Sequence, residues 1–189
     1  MTQPKPKRSV SWPTAMVLAL AASLGAWEGR ELVPYRDIGG VWTVCDGITG
    51  ADVIPGRTYT DAECTALLLP AIEAHMSDVE RMCVPNLREL PPRVQFAVGH
   101  LAYNVGAGAV CRRRNGQPTT IARRLPAGDI APACEAIKSY TRVAGKDCRD
   151  PANKCGGIPR RRDFESGVCS GVIEIPGLED SVTWTHAPP

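Results

Sequence analysis

Residues 28–50 read EGRELVPYRDIGGVWTVCDGITG, and this stretch differs in character from the sequence on both sides of it. Its β-branched and aromatic residues, among them Tyr35 and the run 41–44, suit short strands between glycine-rich breaks. Gly39 and Gly40 suit the turn of a hairpin that joins two such strands. Because the flanking segments have helical spacing, the sequence predicts an α+β fold that is mainly helical, with one small sheet near the N-terminus.

Two carboxyl groups and a hydroxyl stand out within this stretch, those of Glu28, Asp37 and Thr43. Glu28 follows an apolar segment, and apolar surroundings raise the pKa of a carboxyl because desolvation penalises its charged form. Asp37 lies in a polar turn beside Arg36 and is expected to stay ionised. Cleavage of a glycosidic bond requires one protonated and one ionised carboxyl, and Thr43 is placed to orient a water molecule. An Asp before a turn is more often a cap, so the spacing by itself leaves both interpretations open.

Helical patterns occupy most of the remaining chain. Thr60 and Glu63 form a capping-box signature, and an apolar stripe follows in which Pro70 is expected to kink or split the helix. Pro91 and Pro92 open another helix. Further helices are predicted at 121–125, 131–143 and 160–168, with loops at 105–120 and 144–159 and a loose tail after residue 169.

Length and charge limit the classes of protein that remain. The chain has 189 residues, enough for one compact domain or two tightly packed lobes. Its 22 Lys and Arg nearly balance its 20 Asp and Glu, and a net charge of +2 argues against nucleic acid as a partner. No apolar run reaches the roughly 18–20 residues of a firm membrane span.

Eight cysteines spread along the chain point to an oxidising compartment. They form no CxxC pair, and the chain has only three His, so the sequence predicts no zinc cluster and no other metal or cofactor. Several disulfides are expected, although sequence alone leaves their pairing open apart from Cys148 and Cys155, which flank a short Pro- and Asn-containing turn. The alternative is a cytosolic protein with eight reduced, buried thiols.

The N-terminus has the pattern of an export signal. Lys5, Lys7 and Arg8 precede an apolar run at 14–27, and a positive flank is retained on the cytoplasmic side of a membrane. The tripeptide 19–21, Ala-Leu-Ala, offers a cleavage site for a signal peptidase. The alternative interpretation of the same run is a buried first helix of a soluble domain.

Three stretches, in order, resemble the phage-type lysozymes. The segment 28–50 is similar to the active-site segment of that family, whose Glu, Asp and Thr have the spacing of Glu28, Asp37 and Thr43. Residues 95–111, QFAVGHLAYNVGAGAVC, resemble a helix and Asn-x-Gly loop of the distal lobe. Residues 155–169, CGGIPRRRDFESGVC, resemble the C-terminal Arg-Arg…Glu…Cys signature. The resemblance implies a two-lobed, lysozyme-like domain with a small N-terminal sheet lobe and a cleft between the lobes.

The resemblance also implies an activity and the residues that carry it. The enzyme is expected to hydrolyse the β-1,4 bond between N-acetylmuramic acid and N-acetylglucosamine in bacterial peptidoglycan, as a monomer, and so to lyse the host cell. Glu28 is then the general acid, Asp37 stabilises charge or activates water, and Thr43 places the water. The expected substrate contacts are Tyr35, Asn104 and Arg161. The alternative is a catalytically inactive wall-binding or membrane-active protein on the same fold.

Some phage-type lysozymes carry a signal-anchor-release segment just ahead of the catalytic Glu, and the run 14–27 resembles it. The resemblance implies transient association with the host inner membrane followed by release to the periplasm. It divides the chain into an N-terminal anchor (1–27), a catalytic domain (28–170) and a C-terminal tail (171–189). The chain departs from the family at Ile48, where a His is usual, and the polar Asp46 and His100 are unusual at their positions.

Overall fold

The computed structural model describes residues 11–37, 39–51 and 53–178, without the side chain of Glu28. The basic residues Lys5, Lys7 and Arg8 and the end of the tail, 179–189, therefore lie outside the described residues. Within the described part the helices are α1 (Thr14–Glu28), α2 (Asp61–Met82), α3 (Pro92–Val105), α4 (Ala107–Cys111), α5 (Thr120–Arg124), α6 (Ile130–Ile137) and α7 (Gly157–Ser170).

A three-stranded antiparallel sheet lies between α1 and α2 in the chain. Its strands are β1 (Glu31–Arg36), β2 (Trp42–Cys45) and β3 (Ile48–Thr49), in that spatial order. Tyr35 pairs with Thr43, and the next pair along the ladder is Arg36 with Trp42. A second hairpin joins β4 (Arg142–Val143) to β5 (Lys146–Asp147). The α+β prediction, mainly helical with a small N-terminal sheet, is confirmed.

Two apolar cores correspond to two lobes. The small core lies under the sheet and includes Val44, Ile48 and Tyr59. The large core surrounds α3, whose residues from Pro92 to Ala102 are buried apart from Arg93. Helix α2 contributes Cys64 to the small core and its apolar stripe from Leu68 onwards to the large core, so it connects the lobes.

Helix α1 is apolar on all sides, and it packs into the large core. Met16, Leu20 and Leu24 are fully buried, whereas Leu18 is half exposed. The helix meets α3 at Gly99, where the side chain of Leu20 comes within 3.1 Å of the position that a Cβ atom would occupy. Among the described residues, no helix combines the length and hydropathy that crossing a bilayer requires.

The structure corrects several predicted boundaries. Pro70 does not split α2, which is continuous because buried side chains on both sides of the exposed proline hold it to the core. The predicted loop at 105–120 contains α4, which starts where Gly106 turns the chain with a positive φ of 81°. The predicted helix 131–143 ends at Ile137, and β4 replaces its last residues. The tail is packed rather than loose as far as Leu178.

Four disulfides use all eight cysteines: Cys45–Cys64, Cys83–Cys111, Cys134–Cys169 and Cys148–Cys155. The first three connect elements that are distant in sequence: the sheet to α2, the end of α2 to α4, and α6 to α7. The fourth closes the local turn, as predicted from the sequence. The expectation of several disulfides is confirmed.

Candidate active site

The turn between β1 and β2 holds the Asp37 carboxylate in a defined position. Its Oδ1 atom accepts a hydrogen bond from the backbone N–H of Val41 at 2.9 Å. The backbone N–H of Asp37 donates to the Val41 carbonyl, also at 2.9 Å. Gly40 permits this closure because its φ of 76° is one that side chains with a Cβ rarely adopt. Asp37 is exposed to solvent.

Thr43 lies on β2, opposite Tyr35, and is 4% exposed. Its hydroxyl donates to the Val41 carbonyl at 3.2 Å, so the lone pairs of the hydroxyl oxygen remain available as acceptors. The same short segment therefore orients both groups, since Val41 binds Asp37 through its N–H and Thr43 through its carbonyl.

A cavity of about 240 Å³ collects most of the predicted site. Tyr35, Asp37 and Thr43 line it from the sheet, and Tyr103 and Asn104 line it from the end of α3. The structure thus brings together residues 60 or more positions apart in sequence. The 240 Å³ cavity shares Gly47, Thr49 and Tyr103 with a second cavity of about 470 Å³, which His75 also lines.

Glu28 is the last residue of α1, and Gly29, with φ of 70°, turns the chain from that helix towards β1. The general-acid role expected of the Glu28 side chain lies outside what the structure describes. Its neighbour Trp27 packs against Phe164 of α7, with ring centroids 5.6 Å apart. Arg161 is buried with its guanidinium 5.6 Å from the Trp27 ring centre, and it does not line the 240 Å³ cavity.

Asn104 is held from behind by a buried polar chain that runs from α7 to α3. Arg162 donates to the Asn104 Oδ1 atom at 2.7 Å and to the Glu165 carboxylate at 3.0 Å. The same carboxylate lies 2.7 Å from His100 Nδ1, and Arg162, Glu165 and His100 are all fully buried. Sequence reasoning missed this chain, although the spacing of His100 and Asn104 puts them on one face of α3.

Two further residues at the cavity, Tyr103 and Asp46, are not among the predicted site residues. Tyr103 donates its hydroxyl hydrogen to the Asp46 carbonyl at 2.8 Å. Asp46 lines the cavity, and its carboxylate is paired with Arg30. The detectable signal was the acid itself, since Asp46 interrupts an otherwise apolar strand end. In the part of the chain that is described, no three His, Cys, Asp or Glu side chains are grouped to hold a metal.

Comparison with known proteins identifies the family. Residues 25–165 match the model of the family described as phage lysozyme. The SAR-endolysin of Enterobacteria phage P21 is 38% identical over 143 residues, which cover 75% of this chain and 76% of the relative. That of Escherichia phage 933W is 34% identical over 174 residues, covering 84% and 94%.

The fold agrees with solved structures. The crystal structure of the active form of the P1 phage endolysin Lyz superposes with a TM-score of 0.69 at 21% identity, covering 87% of this chain and 98% of that one. A P22 lysozyme mutant superposes with a TM-score of 0.59 at 22% identity, covering 85% and 98%. The family match over three quarters of the chain, the identity to the two relatives and the common fold lead to one conclusion: this chain belongs to the phage lysozyme family.

Proposed function

We propose that this chain cleaves the β-1,4 bond between N-acetylmuramic acid and N-acetylglucosamine, with Glu28 as the general acid. As a phage lysozyme, the chain is an endolysin, a glycoside hydrolase that degrades peptidoglycan and lyses the host. Asp37 acts on the opposite side of the bond, where it stabilises positive charge on the sugar or activates water. Thr43 places that water, and Tyr35 and Asn104 contact the glycan.

One observation carries this assignment. The β1–β2 hairpin presents Asp37 and Thr43 to the cavity that Asn104 enters from α3, and α1 ends at Glu28 immediately before the same sheet begins. An exposed carboxylate and a carboxyl at the end of an apolar helix suit the two protonation states that the reaction needs. We propose that the buried Arg161 supports Trp27, the neighbour of Glu28, and that Arg161 contacts the substrate only at the edge of the site.

The test is turbidity clearing of purified walls together with mass analysis of the released fragments. Glu28→Gln is expected to lower the rate at least about 10²-fold, because a positioned general acid is lost. Asp37→Asn is expected to have a comparable effect. Glu135→Gln, which removes an exposed carboxylate paired with Lys138 on the surface, is the matched control and should leave the rate unchanged. If Glu28→Gln clears walls at the wild-type rate, the catalytic assignment is refuted. If the wild-type protein binds walls without clearing them, the wall-binding alternative is favoured.

We also propose that residues 14–27 associate transiently with the host inner membrane before the enzyme is released to the periplasm. The relatives from phages P21 and 933W are named SAR-endolysins, and α1 carries no charged side chain before Glu28. Because the run is short and rich in Ala, its preference for lipid over water is small. In the released state, α1 buries Met16, Leu20 and Leu24 in the large core instead.

The mass of the protein in membrane and soluble periplasmic fractions, before and after collapse of the membrane potential, tests this route. An intact chain that moves from the membrane to the soluble fraction supports it. A chain that is soluble throughout and truncated after Ala21 would show signal-peptide cleavage instead.

A further inference from the structure

The Asp46 carboxylate is a buried charge beside the catalytic cavity. Its side chain is 0% exposed and lies at the turn between β2 and β3. Arg30 binds it with two nitrogens: Nη2 lies 2.8 Å and Nε 3.1 Å from Oδ2, and Nε also lies 3.3 Å from Oδ1. This forked contact fixes the relative orientation of the two side chains, which a single point contact does not.

The third nitrogen of Arg30 extends the contact to α2. Nη1 donates to the Asp61 carbonyl at 3.0 Å, and it lies 3.3 Å from both the Asp61 carboxylate and the Thr65 hydroxyl. That carbonyl belongs to the first residue of α2. One guanidinium therefore connects the turn at Asp46 to the start of the helix that joins the two lobes.

Two other helices also meet Asp46. A Cβ atom built on Gly25 of α1 would lie 3.6 Å from the Asp46 Oδ1 atom, so the carboxylate packs directly against that helix. On the other side, the Tyr103 hydroxyl of α3 donates to the Asp46 carbonyl at 2.8 Å. α1, α2, α3 and the sheet thus converge on the Arg30–Asp46 pair.

Arg30 and Asp46 connect the two sides of the proposed catalytic set. Arg30 comes two residues after Glu28, and Asp46 comes three residues after Thr43. We propose that the Arg30–Asp46 pair is a positioning device that sets the location of Glu28 relative to Asp37 and Thr43. This inference rests on the proposed function, because it assigns a role only if Glu28 is the general acid.

A charged pair suits this task better than an apolar contact. Burying the Asp46 charge costs desolvation free energy that its attraction to the partly exposed Arg30 offsets only in part, so stability alone does not explain the pair. An apolar contact tolerates sliding, whereas a forked guanidinium–carboxylate contact allows one arrangement. Misplacement of a reacting group by about 1 Å is enough to lower a rate about 10²-fold.

A double-mutant cycle tests the inference with Arg30→Gln, Asp46→Asn and the double variant, assayed on soluble glycan strands at temperatures where circular dichroism shows each to be folded. Each single variant is expected to lower kcat about tenfold or more with little change in KM. The double variant should be no worse than the poorer single one, since residues that act as a unit are not additive. Arg124 and Asp129 form an exposed ion pair, 2.8 Å between nitrogen and oxygen, that lies away from the site. Arg124→Gln and Asp129→Asn break this pair and should leave kcat unchanged.

Arg30→Lys keeps the positive charge beside Asp46 and so protects folding, but its single nitrogen cannot reproduce the forked contact with the carboxylate. It is expected to lose kcat as well. Wild-type kcat in this variant, or losses in the two single variants that multiply in the double variant, would overturn the inference. Glu28→Gln is measured alongside: if it retains activity, the proposed function fails. If it is inactive while the Arg30 and Asp46 variants keep kcat, only the positioning role fails.

Discussion

The hydroxyl of Thr43 has an orientation that suits the role proposed for it. Its hydrogen is committed to the Val41 carbonyl, so its oxygen enters the cavity as an acceptor only. We expect Thr43→Val, which keeps the shape, to lower the rate of wall clearing about tenfold, the scale of one lost hydrogen bond to a reacting water. Thr43→Ser keeps the hydroxyl and should restore most of the rate. Equal activity of the Val and Ser variants would show that the hydroxyl does not place the water.

The folded state disfavours protonation of the His75 imidazole. It is half-buried with its ring 5.6 Å from that of Tyr103, and burial lowers the pKa of its imidazole below the usual 6.5, while Asp78 partly offsets this effect. The unfolded chain therefore takes up a proton at His75 at higher pH than the folded protein does. Its neutral form costs nothing above pH 6.5, and stability falls as the pH drops from there through the folded-state pKa.

We expect His75→Gln to lose less stability than the wild type between pH 7.5 and pH 5, because glutamine does not titrate. Urea unfolding at several pH values measures this difference. Parallel pH profiles for the two proteins would show that His75 titrates equally in both states.

Individual site residues differed in how well the sequence predicted them. Asp37 and Thr43 were identifiable because their spacing and neighbours belong to one contiguous segment. Asp46 and His100 were visible only as unusual residues, since no local pattern shows that Asp46 pairs with Arg30, 16 residues away, or His100 with Glu165, 65 residues away. The contacts of Arg162 with Asn104 likewise depend on the packing of α7 against α3, which local patterns do not encode.

At the scale of elements, helices that carry their own start signals were predictable. The Thr60 and Glu63 side chains form both bonds of the capping box, and Pro92 opens α3 as expected. Helix α4 has five residues and no comparable signal, and a disulfide to Cys83 holds its last residue. Such short elements depend on tertiary contacts rather than on propensity.

The disulfides differ in how much chain they constrain. Cys134–Cys169 spans 35 residues and joins α6 to α7, whereas Cys148–Cys155 spans only 7. Loop-closure entropy then predicts a loss of about 4 kcal/mol for removing the first and about 2 kcal/mol for removing the second. Paired Cys→Ala variants in urea unfolding measure both. Equal losses would mean that native-state contacts, rather than loop length, determine their contributions.

The whole molecule is polarised in charge. Residues 28–82 contain 4 basic and 10 acidic side chains, whereas residues 107–170 contain 13 basic and 6 acidic ones. The near-neutral net charge of the chain conceals this division. Arg114 and Arg142 line a cavity of about 750 Å³ that shares Asn104 with the 240 Å³ cavity at Asp37 and Thr43, so basic residues of the segment 107–170 border the proposed site. We therefore expect an anionic wall polymer to be attracted first to the surface formed by residues 107–170.

We expect the double variant Arg113→Glu, Arg114→Glu to bind purified walls more weakly and with a smaller dependence on salt concentration, since screening acts on exposed charges. Arg81→Glu reverses an exposed charge in the acidic half, where Arg81 pairs with Asp78, and serves as the control. Sedimentation of protein with walls at 50 and 300 mM salt measures binding. An equal loss in the control would assign the effect to net charge rather than to the distal lobe.

Because Gly99 has no side chain, a substitution there can separate export of the chain from the packing of its first helix into the core. Leu20 of α1 and Met76 of α2 both come within 3.1 Å of the point where a Cβ would stand. An added methyl group would require the Leu20 and Met76 side chains to shift by tenths of an ångström. The branched side chain of Gly99→Val would occupy the space that Leu20 fills. If residues 14–27 enter the membrane first, as proposed, we expect a chain with that substitution to reach the periplasm with its first helix unable to pack against α3. Lysis is then expected to be delayed, and Leu20→Ala is expected to restore it only in part, because Gly99→Val also crowds Met76.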